Sequence, residues 1–313
     1  MIKDKKISYP IVSICCITYN HAPFIRKALD GFLMQEPPTG VSADKPWYEI
    51  LIHDDCSTDG TDNIIREYTN KYPDKIFPLF ETENQYSKGK VVDAYNYDRA
   101  RGKYIAVCEG DDYWTDPKKL QKQVDWMDAH HEYSACFHRV IQHNVYTGAD
   151  NEDKCGQILG KKEGVDITPD LFFKAWYTQP LSMLFRTSMF DFSLPHVCKN
   201  YRDSHEIYYL LKHGKGYLFS FVGGVYNRHQ GGIASLISME KQFAISYTIS
   251  QELYEYYKDI CTKENLITTI QWIIDHNNQL SKLEKLKYIH QTLWLSGDVM
   301  KYLRNIRNLY FRK

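Results

Sequence analysis

The chain has 313 residues, of which 43% are hydrophobic and 25% are charged, and its 39 basic residues balance its 39 acidic ones. This length and composition are typical of a globular protein with one large or two modest domains and exclude a disordered chain. The lack of a basic excess argues against nucleic acid as a partner.

Membrane-spanning, secreted and disulfide-rich proteins are also disfavoured. The apolar run Pro10–Ile25 is interrupted by polar residues and by Pro23, so no membrane-spanning helix is expected. The segment Met1–Lys6 is charged and has no apolar core of a signal peptide, which predicts a cytoplasmic protein. Eight cysteines without a Cys-x-x-Cys pair favour buried free thiols over a disulfide scaffold or a structural zinc site.

The first half of the chain alternates between strand and helix patterns. The predicted strands are Ile11–Ile17, Tyr48–His53, Ile76–Phe80 and Lys103–Cys108, and the predicted helices are Ala22–Met34, Asp59–Tyr72 and Val91–Ala100. Strands separated by helices favour a mainly parallel sheet with right-handed crossovers. Ligands of such sheets bind beyond the C-terminal ends of the strands.

The second half is more mixed and then becomes helical. We predict helices Pro117–Ala129 and Ser204–His213, strands Tyr133–Val145, Leu181–Phe185 and Gly216–Phe221, and an exposed loop or weak hairpin over Thr147–Asp166. From Met239 the pattern is helical, with breaks near Asn277–Asn278 and Ser296–Gly297. We therefore expect an α/β domain over residues 1–235 and a helical extension over residues 236–313.

Polar clusters follow three of the predicted strands. They are Thr18–His21, Asp54–Thr61 and Glu109–Trp114, and their carboxylates are Asp54, Asp55, Glu109, Asp111 and Asp112. Because so many negative charges repel one another, a hard divalent cation is expected among them. The alternative is that Asp54, Asp55 and Ser57 cap the next helix and that Glu109–Asp112 is a surface turn.

As an ordered set, these motifs resemble the family 2 glycosyltransferases of the GT-A fold, of the bacterial surface-polysaccharide type. The matching segments are Val12–Asn20, Glu49–Thr61, Gly102–Pro117, Asp203, His213–Lys215 and Tyr226–Gly232. The resemblance covers residues 8–235 and implies a Rossmann-like, mainly parallel mixed sheet flanked by helices. A C-terminal α-helical extension would follow it.

The resemblance also implies a reaction. The protein would be a metal-dependent, inverting glycosyltransferase that moves a sugar from a nucleoside diphosphate sugar, UDP-linked, to a glycan or lipid-linked acceptor. Its cofactor would be Mn²⁺ or Mg²⁺, held where phosphate and carboxylates meet. Such a role suits an enzyme of cell-envelope polysaccharide biosynthesis.

The family's donor-binding residues map onto the strand ends. The resemblance assigns donor binding to Thr18, Tyr19, Asn20, Asp54 and Asp55. By this resemblance, Thr18 and Tyr19 would flank the base of the donor nucleotide, and Asp55 would contact the uracil or the ribose.

The segment Glu109-Gly110-Asp111 matches the family's Asp-x-Asp motif for the metal and the donor diphosphate, with Glu109 replacing the first Asp. The resemblance makes Asp111 the firmest metal ligand, with Glu109, Asp112 and His229 as further candidates. All three residues of the motif would contact the donor.

Two later motifs complete the expected site. Asp203 matches the position of the family's catalytic base, and Glu206 is a reserve base one turn further on. The alternative is that Asp203 caps a helix that begins near Ser204. The family's Tyr-Arg-x-His-x-Gly-Gly loop has Asn227 here in place of its arginine, and Arg228 is the candidate replacement at the donor.

The C-terminal segment 282–313 carries eight basic and two acidic residues, a net charge of +6. Within it, an apolar helical face is formed by Val299, Tyr302, Leu303, Ile306 and Tyr310. A basic amphipathic helix suits an anionic membrane surface and would place the protein at the inner face of the plasma membrane. The alternative is that this helix packs on its own catalytic domain.

Two other functions compete with sugar transfer. A nucleotidyltransferase needs a glycine-rich loop with a basic residue near the N-terminus, and Thr18–Pro23 lacks one. A donor-binding module that has lost transfer activity stays open, because Glu109 and Asn227 depart from the family pattern.

Overall fold

The computed structural model of the protein describes residues 10–174, 177–229 and 238–311, with the side chains of residues 310 and 311 excepted. The charged segment Met1–Lys6, which we predict not to be a signal peptide, lies outside these residues. The described chain forms two compact units: residues up to 199 together with 206–229, and residues 200–205 together with 238–311. The expected division of the chain at residue 235 therefore stays a prediction, and the segment 200–205 joins the C-terminal unit.

The first unit contains the strands and the shorter helices. Its strands are β1 (Val12–Thr18), β2 (Tyr48–Asp54), β3 (Ile76–Phe80), β4 (Tyr104–Val107), β5 (Tyr113–Trp114), β6 (Tyr133–Asn144), β7 (Asp150–Glu152), β8 (Gly164–Ile167), β9 (Leu184–Arg186) and β10 (Lys215–Arg228). Its helices are α1 (Ile25–Leu33), α2 (Thr61–Lys71), α3 (Asp93–Tyr97), α4 (Lys119–Ala129), α5 (Gly156–Leu159), α6 (Pro169–Lys174), α7 (Leu194–Val197) and all but the first three residues of α8 (Asp203–His213).

All ten described strands join one sheet. Its main path is β3-β2-β1-β4-β9-β6-β10-β5, with β7 added to β6 and β8 added to β10. The pairs β3–β2, β2–β1, β1–β4 and β6–β10 are parallel, and the others are antiparallel. The three longest pairings, β6–β10, β1–β2 and β2–β3, are all parallel, which confirms the predicted mainly parallel mixed sheet flanked by helices.

The central strands form because they are apolar runs that are buried on both faces. Every residue of β2 is buried, and all but one residue of β1. The helix between them buries Ile25, Ala28, Leu29 and Phe32 at helical spacing. In the resulting register Thr18 lies opposite Asp54, so the first two polar clusters begin side by side.

Two predicted segments are wrong in part. The strand predicted over Leu181–Phe185 is Leu184–Arg186, preceded by a 3₁₀ turn over Pro180–Ser182. Thr147–Asp166, expected as an exposed loop or weak hairpin, contains β7, α5 and β8. The exposed β7 forms a hairpin with the end of β6, which agrees with the prediction, whereas β8 pairs with residues 216–219 of β10, a distant partner that leaves no local pattern in the sequence. The strand predicted over Gly216–Phe221 also extends to Lys215–Arg228, with register irregularities between Leu218 and Gly224.

The second unit is helical, as predicted. It contains α9 (Met239–Tyr257), α10 (Ile260–His276), α11 (Lys282–Ser296) and α12 (Val299–Phe311). The expected breaks after His276 and Ser296 are confirmed, and a further break lies at Lys258, whose φ is 51°. Leu266, Ile270 and Leu295 form a small core of the unit. Among the described residues, no helix combines the length and the apolar character that crossing a membrane requires.

A buried lysine lies at the start of α4. Lys119 is 0% exposed, and its Nζ lies 3.7 Å from the centre of the Trp114 ring without a hydrogen-bond partner among the described residues. Loss of solvent lowers the pKa of Lys119 to about 7, although the nearby Cys108 and Cys136 act in the opposite direction. The buried cation therefore costs stability at neutral pH.

We expect Lys119→Met to raise the free energy of unfolding at pH 7 by on the order of 1–4 kcal/mol. The unfolded chain binds more protons at this lysine than the folded chain from about pH 7 up to its unfolded pKa of about 10.4, so wild-type stability rises with pH in that window. Urea denaturation of the variant at several pH values should not show this rise of stability with pH. Lys118→Met, an exposed neighbour, is the control, and equal behaviour of both variants would contradict the prediction.

Candidate active site

The structure brings the three polar clusters to one edge of the sheet. The backbone N–H of Asp55 donates to the carbonyl of Thr18 over 3.0 Å, and that of Gly110 donates to Ile17 over 2.9 Å. The ends of β2 and β4 are thus tied to the end of β1 between them. The side chains of Thr18, Asp54, Asp55, Asp111 and Asp112 are all buried there.

The loops after β1 and β2 are locked together. Asn20, at a left-handed φ of 55°, accepts a hydrogen bond from the Thr58 N–H (2.8 Å), and its own N–H donates to Ser57 Oγ (2.9 Å). Asp54 accepts from the hydroxyl of Ser57 (2.6 Å), and burial raises the pKa of Asp54 against this hydrogen bond. Asn20 and Asp54 therefore shape the loops, as the turn-forming alternative expects for Asp54.

Asp55 holds a further loop beside the strand ends. Its two carboxylate oxygens accept the backbone N–H groups of Gln85 (2.7 Å) and Tyr86 (3.0 Å). Tyr19, by contrast, is 44% exposed and is accessible to a ligand.

Gly110 is required by the close approach of β1 to the carboxylate loop. A Cβ at this position would lie 2.7 Å from Thr18 Oγ1 and 2.9 Å from Ile25 Cδ1. Both distances are shorter than real Cβ contacts allow, so a larger residue would push Asp111 away from its neighbours.

Asp111 lies at the centre of the site between two histidines. Its Oδ2 accepts a hydrogen bond from His229 Nε2 (2.9 Å) and lies 3.7 Å from His21 Nε2. Its Oδ1 is buried and has no hydrogen-bond partner among the described residues. Burial acts to raise the pKa of Asp111, but His229 and His21 outweigh it, and the pKa is lowered.

Two candidate ligand sets for a metal share Asp111. One ligand atom from each of Glu109, Asp111 and Asp112 lies within 4.8 Å of the others, and the same holds for His21, Asp111 and His229. Burial, followed by the charges of Asp111 and Glu109, raises the pKa of Asp112 well above its usual range. The orphaned Asp111 Oδ1 and this crowding of carboxylates fit a divalent cation.

His21 is the residue of this site that sequence reasoning left out. It belongs to the cluster Thr18–His21, but a single histidine has no periodic pattern and no motif partner. Its ring meets that of His229 edge to face at 6.0 Å. Burial lowers the pKa of His21, opposed by Asp111 and assisted by His229.

Neighbouring residues at the end of β10 have different surroundings. Asn227 is buried, and its side-chain amide donates to the carbonyl of Asp111 (2.6 Å), while its backbone N–H donates to Asp112 Oδ1 (2.8 Å). Arg228 is exposed, and strand alternation points it away from the face that Asn227 and His229 share. Its role at the donor stays a prediction, and Gly231 and Gly232 lie outside the described residues.

The two candidate bases belong to one helix. Asp203 is its first residue, and Oδ1 accepts the N–H of Ser204 (2.8 Å). Burial raises the pKa of Asp203, although Ser204 and Arg202 act to lower it. Glu206 is buried, and both of its carboxylate oxygens accept the hydroxyl of Tyr97 (2.9 and 2.8 Å).

The family model described as "Glycosyl transferase family 2" matches residues 13–190, more than half of the chain. An uncharacterised protein of Mycobacterium bovis is 45% identical over 129 residues, which are 41% of this chain and 35% of that protein. The chain therefore matches only about a third of the length of this relative.

Two solved structures have a similar fold. Residues 1–349 of Staphylococcus aureus TarS, in complex with UDP-GlcNAc, give a TM-score of 0.63 at 15% identity, covering 95% of this chain and 90% of that one. TarS is a poly(ribitol-phosphate) β-N-acetylglucosaminyltransferase. The mannosyltransferase PcManGT of Pyrobaculum calidifontis, in complex with GDP-Man and Mn²⁺, gives a TM-score of 0.53 at 16% identity, covering 97% and 88% of the two chains.

We expect Gly110→Ala to lower the free energy of unfolding by about 1–3 kcal/mol, because the new methyl group overlaps Thr18 and Ile25. Urea denaturation measures the change. Gly156→Ala, where a Cβ would meet nothing closer than Arg139 Nη2 at 4.0 Å, is the matched control and should change stability by less than about 1 kcal/mol. A wild-type stability for Gly110→Ala would show that the loop has more room than the structure gives it.

Proposed function

Because the chain belongs to glycosyl transferase family 2, we propose that it is a metal-dependent, inverting glycosyltransferase. It moves a sugar from a nucleoside diphosphate sugar, UDP-linked, to a hydroxyl group of a glycan or lipid-linked glycan in cell-envelope polysaccharide biosynthesis. The observation that carries this proposal is the buried carboxylate cluster around Asp111, at the aligned ends of β1, β2 and β4. The bound donors of TarS and PcManGT support it.

The donor would lie along this edge of the sheet. The exposed Tyr19 offers a surface to the base next to the buried Thr18 at the end of β1, and Asp55 offers its carboxylate beside the turn that it holds. Asn20 and Asp54 act by fixing the two loops. Arg228 contributes a cation for the diphosphate from the end of β10.

The metal would be Mn²⁺ or Mg²⁺, held by Asp111 with Glu109, Asp112 and His229 as further ligands. A bound divalent cation offsets the negative charge that grows on the departing nucleoside diphosphate. The Mn²⁺ in the PcManGT complex supports the use of a divalent ion.

The acceptor hydroxyl attacks C1 of the sugar from the face opposite the nucleoside diphosphate. A C1–O bond forms to the acceptor, the C1–O bond to the diphosphate breaks, and the hydroxyl proton passes to the Asp203 carboxylate. The raised pKa of Asp203, caused by its loss of solvent, makes this carboxylate a better proton acceptor. Glu206 is the weaker candidate, because the Tyr97 hydroxyl already occupies its carboxylate.

Substitutions at the metal site and at the base should have separable effects. Asp111→Ala should abolish metal-dependent binding of a UDP-sugar, measured by calorimetry with added Mn²⁺, because the central carboxylate is removed. Asp203→Ala should bind the donor as the wild type does but reduce the transfer rate by about 100-fold or more, as expected when a general base is lost.

Asp44→Ala, an exposed carboxylate of the first unit, is the control for both measurements. Unchanged transfer by Asp203→Ala would remove Asp203 as the base. If the wild-type protein bound no nucleoside diphosphate sugar in the presence of Mn²⁺, the whole proposal would fail.

Two alternatives remain distinguishable. A donor-binding module that has lost transfer would bind the UDP-sugar but would neither transfer nor hydrolyse it in the presence of metal. A nucleotidyltransferase would instead release pyrophosphate from a nucleoside triphosphate.

A membrane surface is the proposed partner of the C-terminal unit. Exposed stripes run along α11 (Leu283, Lys287, His290 and Trp294) and α12 (Met300, Leu303, Arg304 and Arg307). The Tyr302 hydroxyl lies 3.3 Å from His290 Nδ1, so the two helices are neighbours. Trp294 is 79% exposed and Met300 72%, and exposed apolar side chains among basic ones suit anionic lipid.

The residues of the apolar face that the sequence predicts on α12 differ in exposure. Val299 and Leu303 are exposed, whereas Tyr302 and Ile306 are half-buried. Asn305, also on this helix, donates to Gln271 of α10 (3.0 Å), so α12 packs within the helical unit and leaves its basic face open.

Replacing Arg304 and Arg307 together by Gln should weaken binding to vesicles of phosphatidylcholine with phosphatidylglycerol by about 10-fold or more, at about 1 kcal/mol per basic residue. Co-sedimentation measures the bound fraction. Lys199→Gln with Lys212→Gln removes two exposed cations outside this surface and should leave binding unchanged. Equal binding to vesicles of phosphatidylcholine alone would argue against an anionic surface.

A further inference from the structure

We infer that His21 is a ligand of the metal at Asp111 and that it gives the site a preference for Mn²⁺ over Mg²⁺. This inference rests on the metal dependence in the proposed function and adds a residue that the family motifs do not assign. It is carried by the juxtaposition of two imidazoles and one carboxylate in a buried position.

The geometry of the three groups suits one ion. His229 Nε2 lies 2.9 Å and His21 Nε2 3.7 Å from Asp111 Oδ2, and the three ligand atoms all lie within 4.8 Å of one another. Asp111 is 7% exposed, and its Oδ1 has no hydrogen-bond partner among the described residues. A buried carboxylate oxygen without a partner is costly, and a cation would satisfy it.

The fold holds His21 in place by its backbone. Its N–H donates to Thr61 Oγ1 (2.9 Å), and the following residue, Ala22, donates to Asp59 Oδ2 (2.9 Å). These bonds join the loop after β1 to the start of α2. On the other side, the Phe24 ring packs at 4.7 Å from that of His229, which fixes the second imidazole.

The ring of His21 is held without a hydrogen bond at its far nitrogen. Nδ1 is buried and has no partner in the part of the chain that the structure describes. Nothing on that side of the ring competes with Asp111, so the Nε2 side is the one oriented toward the site.

The two ligand sets at Asp111 predict different metals. Glu109 and Asp112 add only carboxylate oxygens, which suit both Mg²⁺ and Mn²⁺, whereas His21 and His229 add imidazole nitrogen, which a transition ion such as Mn²⁺ accepts more readily than the hard Mg²⁺ does. Asp112 is also engaged, since its Oδ1 accepts the Asn227 N–H. In the nitrogen-containing set, both imidazoles present Nε2 toward Asp111 Oδ2, at 2.9 Å for His229 and 3.7 Å for His21.

The test uses the full chain and Mn²⁺ itself as the probe. Free Mn²⁺ is followed by electron paramagnetic resonance in titrations with and without UDP, and Mg²⁺ affinity is obtained by competition. His21→Gln should weaken Mn²⁺ binding by on the order of 10-fold or more and leave Mg²⁺ binding within about 2-fold of the wild type. Pulsed measurements should show two coupled histidine nitrogens in the wild type and one in the variant.

His143→Gln is the matched control. His143 lines the same open cleft of about 520 Å³ as His229, but its Nδ1 pairs with Asp150 over 2.6 Å. Its substitution should leave both affinities and both nitrogen couplings unchanged. Thermal melting of each variant verifies that it is folded.

Three results would overturn the inference. They are Mn²⁺ binding by His21→Gln equal to that of the wild type, an equal loss of Mn²⁺ and Mg²⁺ affinity, and no Mn²⁺ binding by the wild type with or without UDP. A protein that binds Mn²⁺ through His21 but transfers no sugar would leave the inference standing and remove the proposed function.

Discussion

The hydrogen bond between Asp111 and His229 is the interaction on which the site depends. It joins residues 118 positions apart, one in the loop after β4 and the other directly after β10. Negative charges crowd this place, and the burial of Asp112 next to Asp111 raises its pKa strongly. The His229 imidazole, placed directly after β10, acts against that repulsion by lowering the pKa of Asp111.

Parallel pairing explains why polar residues gather at one edge. Since β2 and β4 flank β1 in parallel, their C-terminal ends meet, and each apolar run is followed at once by polar residues. Many of these residues also build the loops: Asn20 receives the Thr58 N–H, and Asp55 receives two backbone N–H groups. The site is thereby organised before any ligand arrives, at the cost of committing some of its carboxylates to the backbone.

Local patterns in the sequence predicted the parallel half of the sheet, because each buried strand there is a continuous apolar run with a helix after it. They did not predict β8, because its partner, residues 216–219 of β10, lies far away in the sequence. The sequence does not indicate His21 as a site residue, for a related reason. Its importance comes from the position of Asp111 and His229 in space, and no spacing in the chain encodes that distance.

The buried Asn227 changes the electrostatics that the family motif leads one to expect. An amide at this position donates hydrogen bonds to the Asp111 carbonyl and, through its backbone, to Asp112, but it brings no positive charge. The neighbouring Arg228 is exposed and lies on the face of β10 opposite to that of Asn227, and its role at the donor stays a prediction. The positive charge that offsets the carboxylates therefore has to come from groups other than residue 227, and the imidazoles of His229 and His21 lie beside Asp111.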